Sequence, residues 1–156
     1  MSDAILDRPI LGALTTTQAG FARGGPGAMR FPADVSPFIA ARDDSDESLA
    51  AMANLVGKDD LVVLLQKSPS PVPPGLALET EAAAVQMVAD TLPSPKIAAE
   101  VIPLGDANAP DMLELATLAK PGPFLANTHR LGGFIGIRRD GRLAAMAGER
   151  LKPGGF

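Results

Sequence analysis

Few side chains in this chain have types suited to chemistry, and they lie late in it. His129 is the sole imidazole among 156 residues and the only side chain whose unperturbed charge change falls near neutrality. Glu149 is a carboxylate in the alternating run Arg142–Arg150 and the nearest candidate for a general base. Phe124, after Pro121-Gly122-Pro123, is one of six aromatic residues, all of them Phe. Each also has a structural reading: an exposed loop histidine, a strand carboxylate paired with Arg138 or Arg150, and a hydrophobic anchor at a helix exit.

Composition removes several other chemistries. With no Cys, the chain can form no disulfide, thiolate zinc site, iron–sulfur cluster or thiol nucleophile, and one His cannot make a multi-histidine metal site. The glycine-rich stretch Gly20–Gly27 lacks the Gly-Lys-Ser/Thr ending that a phosphate loop needs. The acidic run Asp43–Glu47 lacks later oxygen ligands at calcium-loop spacing. The net charge is −4, but residues 129–156 hold six basic and two acidic groups; Arg138, Arg139, Arg142, Arg150 and Lys152 read as solvated strand positions. This balance predicts neither a nucleic-acid nor a membrane partner. No apolar run approaches the roughly 20 residues that span a bilayer, and acids stand where a signal peptide carries bases, so a cytoplasmic location is expected.

These residues must be positioned by short elements, because 16 Gly and 15 Pro punctuate the chain. The spacing predicts a helix after Asp43–Glu47, with Asp44 as cap, Glu47 closing a capping box, and Leu49, Met52, Ala53 and Val56 on one stripe before Gly57. Leu61–Leu65 reads as a strand buried on both faces, Ser68–Gly75 as an extended connector, and Leu76–Leu78 and Val85–Val88 as short strands. A break at Leu92–Lys96 divides the reading into 1–95, a small α/β unit of unassigned role, and 96–156.

In the second part, a short strand around Glu100–Ile102 leads into a helix. Asp106 or Asn108 caps it, Pro110 sits in its first turn, and Met112, Leu115, Ala116 and Ala119 form its stripe until Pro121 stops it. From Phe134 the period becomes two, and Asp140-Gly141 between the runs predicts a hairpin. The second hairpin strand is rich in Ala and Gly, which allows a close approach by a helix, a backbone or a ligand.

The order Ile102-Pro103-Leu104-Gly105-Asp106, Lys120-Pro121-Gly122-Pro123-Phe124-Leu125, Thr128-His129-Arg130-Leu131-Gly132 and Phe134 to Arg150 resembles the first half of a GNAT-family N-acetyltransferase domain, over about residues 97–156. The resemblance implies an α+β fold, an incomplete GNAT-like mixed sheet flanked by helices and preceded by the N-terminal unit. It implies direct acetyl transfer from acetyl coenzyme A to a small-molecule or peptide amine, without a metal. On this reading Phe124 and His129 are substrate-side candidates and Glu149 is the candidate base. The family's cofactor loop, Arg/Gln-x-x-Gly-x-Gly/Ala, belongs after a further strand. Arg130–Ile135 and Arg138–Leu143 match it only in part and lead into strands, so no residue here is assigned to the cofactor. The reading is therefore of a truncated enzyme, or else a noncatalytic interaction module, with an open strand edge at 142–150 able to pair with another chain.

Overall fold

A computed structural model describes residues 3–91 and 100–155, so the predicted break at Leu92–Lys96 lies outside the described residues. Helix α1, Pro9–Thr15, begins on a proline, whose missing N–H costs nothing in a first turn. It buries Ile10, Ala13 and Leu14. Strands β1 (Arg23–Gly25), β2 (Ala28–Arg30) and β3 (Phe38–Ala41) follow as an antiparallel meander. Helix α2, Asp46–Ala53, then crosses over to β4, Val63–Leu64, which runs parallel to β3. The sheet order β1-β2-β3-β4 is thus mixed, as the α+β reading expects, but it lies in the first part of the chain and not in residues 97–156.

The cap of α2 differs from the expectation. Ser45, not Asp44, is the capping residue: its Oγ accepts from the Ser48 N–H at 3.3 Å, while Asp43 Oδ1 accepts from the Ser45 N–H at 3.1 Å. Asp44 is drawn instead into an ion pair with Arg8 at 2.9 Å. Leu49 and Met52 bury against Ala28, Ile39 and Ala41, as the helical stripe requires.

The predicted strand at 61–65 is reduced to two paired residues and is not buried on both faces, since Leu61 is 66% exposed and Leu65 39%. Residues 76–90 form no regular strand; they are extended and exposed. A strand is stabilised by its neighbours, and neither run has a second partner among the described residues.

Strand β5, Ile102–Pro103, pairs antiparallel with β6, Ile135–Arg139, which pairs antiparallel with β7, Arg142–Ala147. The hairpin turn is as predicted: Asp140 has φ 50° and Gly141 φ 77°, the two positive values that a type I′ turn needs. Between β5 and β6 lies α3, Ala109–Ala119, entered through a 3-10 turn at Asp106–Asn108 and ended by Lys120 in the left-handed region at φ 48°. Its Met112 and Ala116 are buried.

The larger core cluster takes Ile10, Leu14, Phe31 and Val35 from one side of the 95/96 boundary and Leu104, Met112, Leu131, Phe134 and Leu143 from the other. Polar ties reinforce it. Thr128 Oγ1 donates to the Val35 carbonyl at 2.7 Å, and Asn127 Nδ2 donates to Asp34 Oδ2 at 2.6 Å. The segment after β7 lies along the end of α1, where Lys152 N–H donates to Gln18 Oε1 at 3.1 Å, Gly154 N–H donates to Thr16 Oγ1 at 3.0 Å, and Thr17 Oγ1 donates to the Lys152 carbonyl. Gln18 is buried to do this.

Candidate acceptor-side site

Phe124 leaves α3 through the Pro-Gly-Pro stop and meets Phe134 edge to face, with centroids 5.8 Å apart and planes at 82°. Phe134 is buried, and its ring lies directly over Gly148, where any Cβ would collide with it. The small residue in the second hairpin strand region therefore admits an aromatic ring, a partner the sequence left open. Phe124 is half-buried against the main core, so it anchors the loop and leaves one part of its ring open.

Glu149 follows Gly148 and is exposed. Its Oε2 pairs with Lys152 Nζ at 2.6 Å rather than with Arg138 or Arg150. Arg138 is taken by Asp111, at 2.5 Å, and by the Gly141 carbonyl at 2.9 Å; Arg150 donates to the Pro123 carbonyl at 2.8 Å. The Glu149–Lys152 pair lies against Gly133, whose ideal Cβ position is 3.1 Å from Glu149 Oε2 and 3.4 Å from Lys152 Nζ. Phe124, Phe134, Gly148, Glu149 and Lys152 thus make one connected patch.

His129 is the larger correction. It is not an exposed loop histidine: it is 8% exposed, in a 3-10 turn at Thr128–Leu131. Its Nε2 lies 3.0 Å from Asp106 Oδ1, and a carboxylate accepts, so Nε2 carries the hydrogen. Nδ1 is buried and has no hydrogen-bond partner among the described residues. No hydrogen bond or ring contact among the described residues joins His129 to Phe124 or Glu149. The sequence shows no local signal for Asp106 as its partner, because the two are 23 residues apart.

Two hollows of about 310 and 280 Å³ lie elsewhere, one beside Arg8 and Gly12, the other between Asp111, Leu118 and Arg142; neither is lined by the three candidate residues. Among the described residues, no three His, Cys, Asp or Glu side chains gather as a metal site, and no helix is long and apolar enough to cross a membrane.

A pyrophosphate needs backbone N–H groups at a positive helix end without competing acids. The residues described do not fit it. The start of α2 is flanked by Asp43 and Asp44, and that of α3 by Asp106 and Asp111, so both ends already face carboxylates. Arg130–Ile135 runs into β6, and Arg138–Leu143 is the hairpin turn itself.

With this geometry in view, the chain is similar to a crystal structure at 1.80 Å resolution of a Novosphingobium aromaticivorans protein assigned to the GNAT family of acetyltransferases. The two share 34% identity, with a TM-score of 0.78 over 95% of this chain. The chain spans 65% of the length of that one. No family model and no curated protein matches it. The likeness to this GNAT-family protein in fold and in sequence covers nearly the whole chain and extends well beyond residues 97–156.

Proposed function

We propose that the chain is part of an acyl-CoA-dependent N-acetyltransferase that transfers an acetyl group directly to a small-molecule or peptide amine in the cytoplasm. The observation that carries this reading is the 34% identity to a GNAT structure over nearly the whole chain. On this reading these residues supply the acceptor side, with Phe124 as an apolar wall and Glu149 beside Lys152 as the polar end. Acetyl coenzyme A would be held by polypeptide outside residues 1–156.

The test is intact mass and ligand binding of the protein made from its own gene. A mass above 16.0 kDa, a melting temperature raised by acetyl coenzyme A, and acetylation of an amine are expected. A mass of 16.0 kDa with no thermal shift overturns the reading. That result favours a noncatalytic interaction module, a reading supported by the acid-flanked helix ends, which oppose an anionic cofactor.

A further inference from the structure

Two runs that read as strands are left without the burial their composition calls for. In Leu61–Leu65 the outer residues are exposed, and Val62 and Leu64 lie half-open at the margin of the smaller core cluster. In 76–90, Val85 is 88% exposed, Met87 90% and Val88 59%. Such a density of bare large aliphatics on one short extended segment is unusual for a water-facing surface.

The connector between them is shaped to bring them together. Leu76 N–H donates to the Pro73 carbonyl at 3.2 Å, and Gly75 sits at φ 78°, the geometry of a type II turn over Pro74-Gly75. A turn of this type reverses chain direction, which would let 76–90 return antiparallel to 61–72. Leu64 lies nine positions before Pro73 and Val85 nine positions after Leu76, so in such a hairpin the two apolar runs would stand level.

The edge they would share is open. Val63 N–H donates to the Pro37 carbonyl at 2.9 Å, on the β3 side, so the backbone groups of Leu64, one residue on, face the opposite side. No described strand pairs there, since β4 is last in its sheet.

We propose that residues 84–88 close onto the outer edge of β4 as a fifth, antiparallel strand of the first sheet. Val85 and Met87 share one face by the period of two and extend the cluster that holds Val62 and Leu64. The tether keeps the segment at high effective concentration, which favours its own chain over a second copy. Gln66 and Lys67, held by Arg8 and Asp7, fix the start of the connector while its far arm swings in.

Hydrogen exchange of the whole protein tests this. Amides 84–88 are expected to exchange at least about tenfold more slowly than an unstructured chain, equally at low and high protein concentration. Met87→Asp should abolish that protection and leave exchange in α1 and α3 unchanged. Exchange of 84–88 at the unprotected rate in the parent protein overturns the proposal. Protection that grows with concentration overturns it too, because the partner is then a second copy.

Discussion

Asp106 and His129 form a pair of opposite exposures: the carboxylate is 93% exposed, the imidazole only 7%, and 3.0 Å separates Oδ1 from Nε2. A solvated acid thus orients a buried ring from outside and ties the entry of α3 to the turn before β6.

That tie is a hydrogen bond first and an ion pair second. Asp106→Ala is expected to lower unfolding free energy by about 0.5–1.5 kcal/mol, as loss of one net hydrogen bond does. Asp106→Asn should lie closer to the parent, because its amide oxygen still accepts from Nε2–H. Urea unfolding of the two variants measures this; equal losses would show that the carboxylate's charge and not the neutral hydrogen bond carries the tie, and no loss in either would show that it contributes nothing.

Gly148 is set by the ring above it. Gly148→Ala places a methyl group against the buried Phe134 ring, and overpacking there should cost about 1–3 kcal/mol. Gly20→Ala, with nothing within 4 Å of its Cβ, is the control and should stay within about 0.5 kcal/mol of the parent. A Gly148→Ala protein as stable as the control would mean that Phe134 turns aside freely.

Met112 and Ile10 are both fully buried members of one cluster. Met112→Ala and Ile10→Ala are each expected to lose about 2–5 kcal/mol, seen as a shift of the same cooperative transition. Two separable calorimetric transitions, each moved by one variant only, would contradict their sharing a core.

Acid should weaken the fold through a few surface carboxylates. The Arg8 guanidinium beside Asp44 holds its carboxyl below the usual range, and Arg30, aided by the Gly57 N–H, does the same for Asp60. Asp43 is lowered by its bonds from Ser45, Ser48 and Arg42. Folded values below the unfolded value of about 3.9 mean that this stabilisation is present above that pH and is lost as pH falls through the folded values. Melting temperature should therefore drop below about pH 4, and Asp44→Asn should flatten the drop. An unaltered slope in Asp44→Asn would remove Asp44 from this account.

The elements specified by neighbours in sequence were legible. Asp140-Gly141 dictates its hairpin through two positive φ values, and Pro121 stops α3 because it can donate no amide. The α2 helix was also legible, but its cap moved by one residue because Arg8, 36 positions away, draws Asp44 off. What depends on distant partners was not. Leu61–Leu65 and Val85–Val88 have strand composition, yet strand pairing is decided by which backbone lies alongside. His129 looks exposed from its polar neighbours, and its burial follows from the cluster around Leu131 and from Asp106. Glu149 reads from sequence as part of the second hairpin strand, but β7 ends at Ala147, and both Glu149 and its cation Lys152 follow it.

The ties from Thr16 and Gln18 to residues 150–154 bridge 132 to 138 positions of sequence. During synthesis, α1 leaves the ribosome early, yet the end of that helix has none of these partners until nearly all 156 residues have been made. Its buried Gln18 must wait in water. The finished fold is therefore reached by a late closure of distant segments, a route that is slow by topology.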